Sequence, residues 1–369
     1  MGLSWSSSQE PASDENRKDA HLRLALEQQV PLSNDYDDVR FLHDPLAGGN
    51  RDAVDTSVSF LPDGAGGHLI NWPVPLYVNG MTGGSERTGR VNRELAQVAA
   101  ATGLPIGSGS LSAYFSDKKV VDSYRVLRTE NPNGFVMANI NAAMTVDQAK
   151  ISVDLLEANA LQIHLNPIQE AVMPEGARDF SNWANRIEEI VTAVGVPVIV
   201  KEVGVGMSAQ TISRLIDLGV QVVDVAGRGG TSFARIENAR RSVANYGYLD
   251  VWGQSAMEGM LEAQEYLGQI SVLASGGVRN PLDVVRALAL GAEAVGVAGT
   301  FLRLLNEHGA TKMIDLVQTW KAQISDIIAV LGCGSVAELR RVPVLLGPGL
   351  SHFAHLRGVD VLQLARRGQ

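Results

Sequence analysis

Cysteine is almost missing: one thiol, Cys333, occurs in 369 residues. A single cysteine excludes an internal disulfide and fits a reducing, cytoplasmic compartment. The sequence predicts Cys333 to be an inert, half-buried thiol rather than a nucleophile. Long apolar runs are also lacking. The longest, residues 190–200, is about half of what a bilayer span needs, so no membrane partner is expected. The first residues are Ser-rich and charged, with no apolar core of the signal-peptide kind. Positive charge is in deficit too, with 31 Lys and Arg against 40 Asp and Glu for a net charge of −9. That argues against a general nucleic-acid binder while leaving room for a local basic pocket.

What is present is glycine in particular places. Residues 271–302 read as a buried strand, a Gly276-Gly277 turn, a helix and a second buried strand ending at Gly299. Asn280 is suited to cap that helix and Pro281 to its first turn, where a missing N–H costs nothing. Glycines by themselves can mean only tight turns. Two glycine turns at adjacent strand ends leave backbone N–H groups unshielded, which suits a phosphate.

The surrounding chain repeats the pattern. Short apolar runs at 76–79, 104–107, 134–140, 160–165, 196–201, 220–225, 271–274 and 294–298 alternate with helical stretches at 92–102, 145–158, 182–194, 209–218 and 253–267. Eight strand–helix repeats predict an α/β fold, a (β/α)8 TIM barrel with N-terminal and C-terminal helical extensions and its site at the C-terminal strand ends. A doubly wound open sheet is the rival, but its glycine fingerprint would follow the first strand rather than the last two. Residues 1–16 read as a mobile tail and 17–369 as a single domain. Residues 30–72 read as irregular chain with a short hairpin at 56–60 and 68–72. After the barrel, 314–331 and 335–340 read as helices, and 343–353 as a looser segment before a final helix. The connection 227–250 is long enough for a lid or an interface.

The residues just past the apolar runs are small or polar at nearly every strand, which argues for a binding site there. Gly80, Met81 and Thr82 would let a flat ring lie against backbone. Lys201 ends an apolar strand, and an ammonium is costly to bury without a partner. Two readings follow: a flavin beside the ammonium, or a Schiff-base lysine. Glu170 opens a strand-to-helix loop and could hold Mg²⁺ if substrate phosphates complete the coordination. Arg17, Lys18 and His21, by residue type alone, read as the solvated face of a helix.

Taken together, RKDAH (17–21), NGMTGGSERTG (79–89), ANIN (138–141), LQIHLNPIQE (161–170), VIVKEVG (198–204), GRGGTSFARIE (227–237), YLDVWGQS (248–255) and ASGGVRNPLDVVRALALGA (274–292) resemble the FMN-dependent type 2 isopentenyl-diphosphate delta-isomerases, the actinobacterial branch most of all. The resemblance runs from about residue 17 to the C-terminal helices. It implies FMN on Gly80, Met81, Thr82, Ser110, Asn139, Lys201, Thr231, Gly276, Gly277, Val278, Arg279, Ala298 and Gly299. It implies an isoprenoid diphosphate on Arg17, Lys18, His21, Ser110 and Gln169, which reverses the solvated-face reading. Gln169, His164 and Asn166 would serve catalysis and Glu170 would bind Mg²⁺. Reduced FMN would be the acid–base group, with NADPH or NADH needed only to reduce it, in a cytoplasmic homo-oligomer (tetramer or octamer).

Two departures stand out. Ser112 occupies a place where many members carry a diphosphate-binding arginine, and Ala226 replaces the usual serine of DVSG. The rival activity is an FMN-dependent 2-hydroxy-acid oxidase, which wants a histidine base with nearby arginines after strands six or seven; none is found there. An inosine-monophosphate dehydrogenase-like reaction would need a loop cysteine, and Cys333 lies beyond the barrel. A flavin-binding barrel without activity is a third possibility.

Overall fold

The computed structural model describes residues 16–28, 32–60, 70–242 and 245–368. The expected tail lies outside these except for Asn16, whose side chain caps the first helix by accepting from the Lys18 N–H. Eight parallel strands close into a barrel: Leu76–Val78, Ile106–Gly107, Val136–Asn141, Ala160–Leu165, Val198–Glu202, Val222–Asp224, Ser271–Ser275 and Ala294–Val297. The eighth pairs with the first through Val295 and Leu76, so the sheet is a ring rather than doubly wound. These strands read as continuous apolar runs because helices cover their outer face while side chains fill the interior. Among the described residues no helix is long and apolar enough to cross a membrane.

Several boundaries differ from expectation. The helix expected from residue 92 begins at Glu86, because Ser85 and Thr88 form a capping box that supplies an earlier start. The helix expected at 314–331 belongs to a longer one, Gly299–Val330, which is interrupted by Gly309 at φ 73°. The stretch 343–353 is ordered: Val344–Leu346 pairs antiparallel with Val39–Phe41, and the helix Pro348–Leu356 follows. The residues around 256–266 form a helix, Ala256–Glu262, and then a single 3-10 turn, Gln264–Tyr266. Residues 337–341 form a 3-10 turn rather than an α-helix. The hairpin pairs Val58–Phe60 with Ile70–Trp72, and the chain between them lies outside the described residues. Cys333 is buried rather than half-buried, and burial pushes its thiol up to about 11.

Two features fix what lies around the barrel mouth. The helix Arg17–Glu27 buries Ala20 and Leu22, and Asp19 accepts from the Ser85 hydroxyl at 2.5 Å. Its end is tied down by Gln28, which donates to the Ser232 carbonyl at 3.0 Å and accepts from the Ser232 N–H at 2.8 Å. On the far side, Arg279 is held by Asp283 and Asp37, at 2.8 and 2.7 Å. This knot joins the helix Pro281–Ala289 to the turn Asp35–Asp38.

Candidate active site at the barrel mouth

A cavity of about 460 Å³ opens at the C-terminal ends of the strands, within the size range of cofactor and substrate sites. Of the residues singled out from sequence, all line this cavity except Thr82 and Arg279. Thr82 is 4% exposed, and its carbonyl accepts from the Gly109 N–H and from Asn92, so it braces the first loop from behind. Arg279 turns away: its guanidinium and its own backbone N–H all end on Asp283, Asp37 or the Leu32 carbonyl.

The glycine turns are built for close approach. A Cβ on Gly276, at φ 97°, would sit 2.0 Å from the Gly227 carbonyl oxygen, so the ends of strands six and seven interlock only because it has none. A Cβ on Gly80 would stand 2.0 Å from the Ser108 carbonyl oxygen, so strands one and two meet equally closely. Among the described residues the N–H groups of Gly276, Gly277 and Val278 have no acceptor. Those of Gly299 and Thr300 open the helix that follows strand eight, where a first turn leaves donors unpaired and Ala298 supplies no side-chain cap. Thr300 Oγ1 donates to the Val278 carbonyl at 2.6 Å and locks the two turns side by side. One wall of the cavity is therefore a double row of free donors, which fits the phosphate of a nucleotide-like cofactor.

The floor is polar and satisfied. Asp224 accepts from Tyr77 Oη at 2.7 Å, Asn79 Nδ2 at 3.0 Å and Ser275 Oγ at 2.8 Å, binding strands one, six and seven together. Lys201, paired in register with Asp224, donates to the Glu202 carbonyl at 2.6 Å. Burial lowers its pKa and the charges of Asp224 and Glu202 oppose the fall. The ammonium therefore has protein partners and does not by itself require a flavin. His164 Nδ1 lies 2.7 Å from Asn139 Oδ1. An amide oxygen only accepts, so Nδ1 carries the hydrogen. Burial, reinforced by the Lys201 and Lys18 charges, pushes the His164 pKa down to about 3.

Arg17 and Lys18 line the same cavity from the N-terminal helix. Arg17 lies 3.6 Å from Glu175. Burial first, and the Arg17 charge second, bring Lys18 down to about 8. A chain of hydrogen-bonded side chains adjoins them. Asn166 Nδ2 donates to Gln169 Oε1 at 3.2 Å and to Glu170 Oε1 at 3.0 Å. Gln169 Nε2 donates to Glu237 Oε1 at 2.8 Å. His21 Nε2 approaches the same oxygen at 3.0 Å, and Arg240 pairs with the other oxygen of Glu237. Burial works against the Glu237 charge, but His21, Gln169 and Arg240 outweigh it and hold the carboxyl at about 2.

Glu237, which sequence reasoning did not single out, stands behind the cavity lining and holds two of its members, Gln169 and His21. It lies within the GRGGTSFARIE stretch, and only the fold of Phe233–Ala239 turns it inward. Where the family's arginine is expected, Ser112 shares a hydrogen bond with Ser110 at 2.8 Å and accepts from Asn141 at 3.3 Å. Among the described residues no group of three or more His, Cys, Asp or Glu could hold a metal ion. Glu170 faces the cavity as one carboxylate, its oxygens accepting from Asn166 and from the Ala177 N–H. A divalent cation fits here only with ligands from a substrate.

Residues 120–344 match the FMN-dependent dehydrogenase family. A protein of Streptomyces sp. (strain CL190), an isopentenyl-diphosphate delta-isomerase, is 54% identical over 353 residues, covering 95% of each chain. The chain belongs to the isopentenyl-diphosphate delta-isomerase family. Other members of that family are the Kitasatospora griseola enzyme, 52% identical over 96% of each chain, and that of Latilactobacillus sakei, 46% identical over 94% of this chain and 97% of that one. Solved structures of mandelate oxidase with (S)-2-phenylpropionate (TM-score 0.60, 17% identity, 89% of this chain and 90% of that one) and of a flavocytochrome b2 mutant with benzoylformate (TM-score 0.61, 20% identity, 93% and 85%) share the barrel. As an isopentenyl-diphosphate delta-isomerase family member, the chain keeps both halves of its cavity on the elements that the sequence marks. The free donors follow strands seven and eight, and the cations stand on the N-terminal helix.

Proposed function

We propose that this protein interconverts isopentenyl diphosphate and dimethylallyl diphosphate with a non-covalent FMN in its barrel. The observation that carries the reading is one cavity lined by two separate groups suited to anions: free N–H donors at 276–278 and 299–300, and the cations Arg17 and Lys18. A cofactor phosphate suits the first and a substrate diphosphate the second. The same cavity is lined by the neutral His164 and the amides of Asn166 and Gln169, which carry no charge to repel a short apolar chain. When bound and reduced, FMN supplies the acid–base group that an unactivated alkene requires.

The protein's own part is to bind, orient and keep out water. Arg17 and Lys18 grip the diphosphate, with the Ser110 and Ser112 hydroxyls beside them. Gln169, with both ends of its amide engaged, would position the isoprenoid chain. Lys201 lines the cavity and would stabilise negative charge on a bound flavin. Glu170 would hold Mg²⁺ jointly with the diphosphate, since one carboxylate makes a weak site alone. NADPH or NADH enters only as the reductant of FMN.

The 2-hydroxy-acid oxidase reading is weaker. It wants an imidazole base beside arginines, whereas His164 is buried with its Nδ1 on Asn139 and Arg279 is spent on carboxylates. Two measurements test the proposal together. Heat-denatured protein should release FMN, and reduced protein with Mg²⁺ should isomerise isopentenyl diphosphate without net NADPH consumption. A protein that takes up no FMN, or that consumes NADPH in step with substrate, overturns it.

A further inference from the structure

The cavity holds one cation for which the account above has no use. Arg303 lines it together with Val278, Ala298, Gly299 and Thr300. The residue is half-buried and, among the described residues, its guanidinium makes no hydrogen bond or ion pair. Of the other cavity cations, Arg17 lies against Glu175 and Met173, Lys201 donates to the Glu202 carbonyl, and Lys18 stands beside Arg17 on the N-terminal helix.

Position explains what Arg303 reaches. It stands four and three residues after Gly299 and Thr300 on the same helix. Residues so spaced share a face, and helical side chains lean back toward the N-terminus. The guanidinium therefore leans over the first turn, where the free N–H groups are.

Charge balance gives the reason for it. A phosphate monoester carries about −1.5 to −2 charges at neutral pH. A helix N-terminus offers the equivalent of about +0.5. Backbone donors alone leave the anion under-neutralised by roughly one charge. Arg279 cannot make this up, because its guanidinium is committed to Asp37, Asp283 and the Leu32 carbonyl. Arg303 is free, adjacent and able to form two parallel hydrogen bonds.

We propose that Arg303 is the cation that grips the phosphate of the cofactor, completing the anion site begun by the two glycine turns. This rests on the FMN reading and goes beyond it in assigning a side chain to the phosphate. Riboflavin, which has the same ring and no phosphate, separates the roles. Full-length protein freed of flavin is titrated with FMN and with riboflavin, following quenching of flavin fluorescence. Arg303→Ala should raise the Kd for FMN about tenfold or more, the scale of one lost charged contact. Riboflavin affinity should stay within about twofold, and Arg303→Lys should recover part of the FMN loss. If Arg303→Ala does not fold, Arg303→Gln carries the same expectations. Unchanged FMN affinity overturns the proposal, as does an equal loss for both flavins. A raised KM for isopentenyl diphosphate with FMN affinity intact also overturns it, because the cation would then serve the substrate. Wild-type protein that binds neither flavin defeats the FMN reading itself, a result recognisable before any variant is made.

Discussion

Lys18 carries a proton that its surroundings make easy to lose. Burial and the neighbouring Arg17 bring its pKa to about 8, so above that pH the free protein has one cation fewer for a diphosphate. The expected result is that kcat/KM falls as pH rises through about 8. Lys18→Arg, which stays charged, should remove that limb; a limb that persists in the arginine variant belongs to another group. His164, at about 3, is neutral across the working range and supplies no acid limb of its own. The Gln169 amide is held at both ends, by Asn166 and Glu237. Gln169→Ala should lower kcat on the order of 10²-fold while FMN affinity is kept. Stopped-flow reduction by NADPH and a single-turnover isomerisation assay separate the two effects. At Glu170, Gln should raise the Mg²⁺ concentration required for half-maximal rate. An activity unaffected by EDTA in wild-type protein would remove the metal from the scheme.

The N-terminal helix is the element that brings Arg17, Lys18 and His21 to the cavity. Only a few side chains moor it, and the reciprocal pair between Gln28 and Ser232 also fixes the loop that bears Thr231. Gln28→Ala is expected to raise KM severalfold with kcat and Tm little changed. A variant with normal KM would show that the helix is held without it, by Asp19 on Ser85, His21 on Glu237 and the buried Ala20 and Leu22. The barrel strands were legible in the sequence because residues buried on both faces make unbroken apolar runs. The pairing of Val39–Phe41 with Val344–Leu346 was not, since each strand is short and its partner lies about 300 residues away. The glycine turns were legible because positive φ and close approach demand that residue. Arg279 and Glu237 were misjudged or missed for one reason: which way a charged side chain points is decided by partners from other elements, Asp37 in one case and Gln169 in the other.

At the scale of the molecule, the Arg279–Asp283–Asp37 knot joins the outer segment before the barrel to the helix after strand seven. Asp283 is fully buried and keeps only Arg286, at 3.1 Å, once Arg279 is gone, so the charged hydrogen bonds lost amount to about 1.5–3 kcal/mol. Arg279→Met should therefore shift the urea midpoint strongly downward, measured by tryptophan fluorescence, and an unchanged midpoint would show the knot to be ornamental to stability. The closed ring has a consequence for the protein's birth. Its seam joins Leu76 to Val295, strands roughly 220 residues apart in the chain. At a synthesis rate of about 5–20 residues per second, the first strand leaves the ribosome roughly 10–45 seconds before the eighth exists to pair with it. Throughout that interval one edge of a strongly apolar sheet is open to any other nascent strand. Yield should therefore improve when translation is cool and dilute and a holding chaperone is abundant, even though the finished barrel has no edge left to protect.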